Sequence, residues 1–252
     1  MRVETNDAIV VLTIDRAEVH NAVDAETAQG LEDAVRSFEA DPARRVLILT
    51  GAGDKAFCAG ADLKSAAGLT ARPGAAESGP MGISRLEVGK PTIAAIRGYC
   101  YAGGLELACW CDLRIADDTS TFGVLNRRWG VPLIDGGTQR LPRIVGLGNA
   151  LYLIETGARV DARTALRMGL VQEVVEAGQH LDRAVELAGH IAGYPQSSLL
   201  ADRASALALD GIEAEARRGE ATLADPEMFA GLERFRLHDR PAPPSGSSGE
   251  LA

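Results

Sequence analysis

The spacing of apolar positions changes several times along this chain, and each change predicts an element. Residues 3–5 and the largely apolar run over 9–14 flank a polar Asn6-Asp7 pair, which predicts a β-hairpin. Residues 15–21 form a polar loop. Leu31, Ala34, Val35 and Phe38 then recur at helical spacing behind Asp24, predicting a helix capped by that aspartate and running to about Ala40. Short continuous apolar runs at 46–50 and 92–97 read as buried strands, and 112–116 and 121–124 as two more. Between these strands lie a glycine-punctuated loop over 51–61, a short helix starting near Asp62, and a helix over 81–88. Residues 70–80 are rich in Ala, Gly and Pro, a composition that predicts a mobile loop. Residues 130–137 read as another loop and 138–145 as a helix. Strands alternating with helices imply an α/β fold.

After Gly146 the helical period dominates. It recurs over 149–156, 162–168, 181–192, 197–209, 212–223 and 226–237, with one strand at 170–175. From Pro241 the chain reads Pro-Ala-Pro-Pro-Ser-Gly-Ser-Ser-Gly, a disordered composition.

Composition narrows the class. The chain has 252 residues, enough for one large domain or two small ones, and 46% hydrophobic with 24% charged residues is ordinary for a globular protein. A formal net charge of −9 argues against nucleic-acid and anionic-membrane partners. Cys58, Cys100, Cys109 and Cys111 lack paired CxxC spacing and sit among apolar residues, so free thiols in a reducing compartment are expected. There is no charged-then-apolar leader and no apolar run of about 18 residues, which predicts a cytoplasmic protein without a membrane span. His20, His180, His190 and His238 are scattered, so no metal site is expected.

The chemistry concentrates where the strand at 92–97 enters Gly98-Tyr-Cys-Tyr-Ala-Gly-Gly-Leu-Glu-Leu-Ala-Cys-Trp-Cys-Asp112. Gly103 and Gly104 open a helix, with Glu106 in its first turn. A helix start offers free N–H groups and the positive end of the dipole, a setting for a developing oxyanion with Glu106 beside it as a base. The plainer reading is a tight strand-to-helix turn. A second glycine loop, Cys58-Ala-Gly-Ala-Asp-Leu63, could supply another N–H to the same oxygen, as an enolate formed from a thioester requires. Neither loop carries a phosphate-binding fingerprint.

Lys55-Ala-Phe-Cys-Ala-Gly-Ala-Asp-Leu-Lys64, Lys90-Pro-Thr-Ile-Ala-Ala-Ile-Arg-Gly-Tyr99, Ala102-Gly-Gly-Leu-Glu-Leu-Ala-Cys-Trp-Cys-Asp112 and Gly136-Gly-Thr-Gln-Arg-Leu-Pro-Arg143 resemble, in order, the enoyl-CoA hydratase/isomerase family, the crotonase superfamily. Asp15-Arg-Ala-Glu-Val-His-Asn-Ala22 resembles its N-terminal loop. The resemblance implies a crotonase-like ββα spiral over 1–195, a C-terminal helical trimerisation region over 196–240, and a tail over 241–252. It implies an acyl-CoA substrate, no cofactor beyond that coenzyme A, and a homotrimer or dimer of trimers. It places the oxyanion-hole amides on Ala61 and Gly103, the first catalytic glutamate on Glu106, and the coenzyme A contacts on Ala59, Gly60, Ala61, Asp62, Leu63 and Gly103.

One position departs from the family. The second hydratase glutamate falls on Asn126, and an amide cannot exchange a proton as a carboxylate does. Asp135 is the nearest carboxylate that could assist, or else a helix N-cap before Gly136. Some family isomerases carry a carboxylate in this loop, one position earlier, at Ile134. The implied activity is hydration of a 2-enoyl-CoA or its reverse, with double-bond isomerisation or non-catalytic acyl-CoA binding as alternatives. Arg127 and Arg128 either orient a substrate carboxylate or face solvent, and Trp129 either packs in the core or walls an acyl pocket.

Overall fold

The computed structural model describes residues 1–237; the tail expected to be disordered from Pro241 lies outside the described residues. In chain order, β1 (Arg2–Asn6) and β2 (Ile9–Ile14) make the expected hairpin, and α1 (Ala25–Ala40) follows, capped by Asp24, which accepts the Thr27 N–H at 2.9 Å. Three β-β-α turns come next. The first is β3 (Val46–Gly51), β4 (Ala56–Cys58) and the short helices α2 (Ala66–Ala71) and α3 (Ala75–Ser78). The second is β5 (Thr92–Ile96), β6 (Tyr99–Tyr101) and α4 (Gly103–Trp110). The third is β7 (Leu113–Asp117), β8 (Thr121–Gly123) and α5 (Gly137–Thr156), reached through the 3-10 turn Leu125–Trp129. Then come β9 (Arg159–Asp161), α6 (Ala162–Arg167), β10 (Glu173–Val175) and α7 (His180–Gly193), and finally α8 (Gln196–Ala208), α9 (Ile212–Thr222) and α10 (Pro226–Arg236).

The first strand of each turn joins a six-stranded sheet in the order β1-β2-β3-β5-β7-β10, and the second joins a four-stranded sheet in the order β4-β6-β8-β9. The backbone therefore steps from one sheet to the other and returns through a helix, which is the ββα spiral. All pairs within the six-stranded sheet are parallel except β1–β2. Its central strands are apolar on both faces because both are covered. Leu47 and Leu49 of β3 and Ala94 and Ile96 of β5 join the larger core, between the sheets and α1 and α4. Val46, Ile48, Ile93 and Ala95 alternate to the opposite face and meet Ala184, Ala188 and Ala192 of α7. These alanines, four residues apart, make a smooth ridge that lets the helix lie close to the sheet.

Two expectations are corrected. Residues 81–88 are not a helix: Gly82 takes φ +89, outside the helical region, and a Cβ there would stand 2.1 Å from the Ala28 carbonyl oxygen. The stretch 70–80 is not a loose loop. It holds part of α2 and all of α3, and buried Arg72 fastens it to Glu32 of α1, to Ser78 Oγ at 2.6 Å and to the Gly79 carbonyl at 3.0 Å. The helices expected at 138–145 and 149–156 are both present within α5, separated by the kink at Gly146 (φ 76, ψ 156).

The C-terminal helices are tied to the core by Arg203 of α8, which donates twice to Asp112 at 2.9 Å and once to the Val88 carbonyl. Among the described residues no helix is long and apolar enough to cross a membrane.

Candidate active site

The two glycine loops and the 130–136 loop enclose a cavity of about 240 Å³. Ala59, Ala61 and Leu63 line it from the first loop, and Tyr101, Gly103 and Glu106 from β6 and α4. Ala102, between β6 and α4, holds φ 51 and ψ −122, a conformation that costs a non-glycine residue about 1–3 kcal/mol. That turn starts α4 at Gly103, beside the first loop. Gly60, at φ +103, fits against it: a Cβ there would stand 3.0 Å from the Gly103 nitrogen. The two loops therefore meet backbone to backbone. Neither the Ala61 nor the Gly103 N–H has an acceptor among the described residues, and both residues face one cavity. The two amides expected to converge thus belong to residues on one cavity, while a free N–H at Gly103 is also what the start of α4 leaves in a plain strand-to-helix turn.

Glu106 is 3% exposed. Its Oε1 accepts the Asp135 N–H at 2.9 Å and the Gly137 N–H at 2.8 Å, and Oε2 has no hydrogen bond among the described residues. Gly137 permits this approach, since a Cβ would stand 2.8 Å from Glu106 Cγ. Burial pushes the Glu106 carboxyl up to about 7; the Gly137 N–H pulls it down and the charge of Asp135 lifts it further. A carboxyl ionising near neutrality can both take and give a proton at working pH.

Asp135 is buried on the same cavity. It is not the helix cap: Gly136 holds that position, without a side-chain cap, because Asp135 turns the other way. Its Oδ1 accepts the Met81 N–H at 3.0 Å and the Ser84 hydroxyl. Arg140 supports this corner by donating to the Asp135 carbonyl at 3.1 Å and the Ser84 carbonyl at 2.6 Å.

Other candidates separate. The Asp62 carboxylate accepts from Arg16 at 3.3 Å and from the Lys64 N–H at 3.1 Å, so it braces the loop from outside the cavity. Trp129 is not core: it is 75% exposed and walls the cavity mouth, with Ile134 and Leu63 also at the rim. Arg127 and Arg128 donate to the Ile154 and Gly157 carbonyls at the end of α5 and lie outside the cavity. All four cysteines are free and buried, and burial pushes Cys58 up to about 12 and Cys109 up to about 11, so they are packing groups and not nucleophiles. Met81 and Arg140 were not singled out from sequence. Arg140 could have been, since it ends the Gly136-Gly-Thr-Gln-Arg140 motif; Met81 carried no such signal.

On this ββα spiral the free amides of Ala61 and Gly103 and the buried carboxyl of Glu106 share one cavity. The family described as enoyl-CoA hydratase/isomerase matches residues 4–228, and the chain belongs to it. It is 38% identical to a crotonyl-CoA hydratase of Syntrophomonas wolfei over 88% of this chain and 86% of that one. It is 41% identical to a carnitinyl-CoA dehydratase of Salmonella arizonae over 75% of this chain and 72% of that one. Its fold matches the crystal structure of an enoyl-CoA hydratase from Bacillus anthracis with a TM-score of 0.87, at 29% identity, covering 97% of this chain and 99% of that chain.

Proposed function

We propose that the protein adds water to a 2-enoyl-CoA, or removes it from a 3-hydroxyacyl-CoA, through a thioester enolate. The observation that carries this reading is Glu106, a buried carboxyl lifted to about 7 and set in one cavity with the unpaired amides of Ala61 and Gly103. In hydration, both N–H groups donate to the thioester oxygen. A water oxygen bonds to C3 while Glu106 takes one of its protons, and the C2–C3 π electrons move to the thioester oxygen. The enolate collapses as Glu106 returns the proton to C2. Asp135 assists through its charge, which lifts the proton affinity of Glu106. Ala59, Gly60, Asp62 and Leu63 make the channel for the coenzyme A portion, Asp62 by holding its shape. No cofactor beyond coenzyme A is required.

Double-bond isomerisation is the second reading. It is favoured by Asn126, which leaves no second glutamate on the cavity, while a single carboxylate such as Glu106, with one oxygen free of hydrogen bonds, is enough to carry one proton between C2 and C4. The assembly is a trimer or dimer of trimers. Leu209, Ile212, Phe229 and Phe235 support it as exposed apolar side chains in the C-terminal region. A cytoplasmic location is supported by the four free thiols. The test is incubation with short and long 2-enoyl-CoA thioesters. The expected product is heavier by one water; a product of unchanged mass with a moved double bond would replace hydration with isomerisation.

A further inference from the structure

One oxygen of Glu106 is held by backbone alone. Its Oε1 accepts the N–H groups of Asp135 and Gly137, both in the turn that starts α5. A turn gives such a grip only if it is itself fixed, and here the fixing comes at the carbonyls. The Asp135 carbonyl accepts from Arg140 Nη1 at 3.1 Å, and Nη2 of the same guanidinium donates to the Ser84 carbonyl at 2.6 Å. The Ile134 carbonyl accepts from Arg85 at 3.2 Å. In a trans peptide the C=O and N–H point to opposite sides, so a carbonyl held by Arg85 turns the Asp135 N–H the other way, onto Glu106. Arg85 is exposed, whereas Arg140 is half-buried and spans two segments, 134–137 and 81–84. Gly136, at φ +92, makes room for it: a Cβ there would stand 2.1 Å from Arg140 Nη1. Ser84 closes the ring by donating its hydroxyl to the Asp135 carboxylate.

We infer that Arg140 is the positioning residue of Glu106: its bridge between the Asp135 and Ser84 carbonyls keeps both amides on Oε1 and leaves Oε2 to meet the thioester. This rests on the reading of Glu106 as the acid/base group given above. Arg140 does not line the cavity, so its effect on the chemistry passes through those amides. An N–H donor favours the ionised carboxyl over the protonated one, so the same grip sets the pH at which Glu106 becomes a base. The titratable groups on the elements packed about Glu106 are few. Asp135 opposes its ionisation by charge and Arg140 favours it. Cys58 of β4 and Cys109 of α4 are buried neutral thiols, and Tyr101 of β6 lies on the same cavity.

The test compares the parent with Arg140→Met, which removes charge and bridge, and Arg140→Lys, which keeps the charge but cannot span two carbonyls as the planar fork does. Carbon NMR of carboxyl-labelled glutamate follows the ionisation of Glu106, its signal assigned from the spectrum of Glu106→Gln. In parallel, kcat for a short 2-enoyl-CoA is measured across pH. Both variants should ionise roughly one unit above the parent value of about 7. The acidic limb of kcat should move with the ionisation, giving a roughly tenfold loss on the acid side that vanishes in alkali, with KM nearly unchanged. A lysine variant with the parent midpoint would leave only the charge and overturn the bridge. Midpoints unmoved in both variants, with kcat lowered equally at every pH or not at all, would overturn the inference and leave hydration standing. A moved midpoint in a protein that hydrates no enoyl-CoA would remove the hydration reading and keep the positioning. If neither variant folds, Arg140 is a folding residue and the inference falls.

Discussion

Removing Arg72 should unfasten one wall of the cavity. Arg72 is buried between α2 and α3, and its guanidinium reaches Glu32, Gln29, Ser78 and the Gly79 carbonyl. The segment it holds supplies Leu69, Thr70, Pro80 and Met81 to the cavity. Burial pushes the Glu32 carboxyl up, but hydrogen bonds from Ser78, Arg72 and Arg36 hold it at about 2. Breaking a buried ion pair from one side costs about 3–5 kcal/mol, because the remaining charge is left without its partner. Ser78 and Arg36 still reach Glu32, Arg36 at 2.9 Å, so Arg72→Met should fall near the lower end, about 3 kcal/mol. The sign with pH follows from the lowered ionisation. The stabilisation is complete above the unfolded value of 4.5 and is lost as pH falls through about 2. Denaturant melts of Arg72→Met, Glu32→Leu and the double variant measure the pair directly. The double variant should be clearly more stable than the sum of the single losses, and KM for the thioester should rise in Arg72→Met. Additive losses, or an Arg72→Met protein within about 0.5 kcal/mol of the parent, would refute the latch.

Other outcomes follow from the site. Gly103→Val sets a Cβ 3.0 Å from the Met81 thioether and crowds the amide, and losing one oxyanion donor should lower kcat on the order of 100- to 1,000-fold in a steady-state assay. Glu106→Gln should lower turnover by about 100- to 10,000-fold, and Asp135→Asn by less; the reverse ranking, with product of unchanged mass, would point to the isomerase. Glu106 stays protonated in the folded protein up to about 7 but ionises at 4.5 when unfolded, so it makes stability fall as pH rises between those values, by about 3 kcal/mol in all. Glu106→Gln should therefore melt higher than the parent near pH 8 and equally near pH 4, as read by calorimetry. Light scattering at micromolar concentration should give a trimer or hexamer, and a monomer would remove the role proposed for the exposed apolar residues of the C-terminal region.

The features legible in the sequence were those with a local cause. β2, β3 and β5 are apolar runs because both faces of their sheet are covered, and α1 carries its cap and its apolar stripe within 16 residues. The two glycine loops were legible because their close approach requires glycine, as at Gly60 and Gly104, and Glu106 was legible from the motif that carries the family resemblance. β4, β6 and β9 span three residues each, too few to express a period. Residues 81–88 imitate a helix through Ile83 and Leu86, while the glycine turns around them decide the backbone. Arg72, in a segment composed like a loop, finds its partner 40 residues upstream, and Asp135 finds Ser84 51 residues away. No local pattern announces such pairings, and they decide whether a charged residue braces the structure or faces the ligand. Asn126 was visible as a departure, but its unpaired oxygen emerges only once Val131 has claimed the nitrogen.

The claim on which everything else depends is that this cavity adds water across an acyl thioester using Glu106. Incubating the enzyme with a short 2-enoyl-CoA in heavy-oxygen water, and locating the label by fragmentation mass spectrometry, tests it most directly. The account predicts one labelled oxygen at C3 of the product with the parent enzyme and almost none with Glu106→Gln. Unlabelled product, or labelling that proceeds equally well without the Glu106 carboxylate, would contradict it.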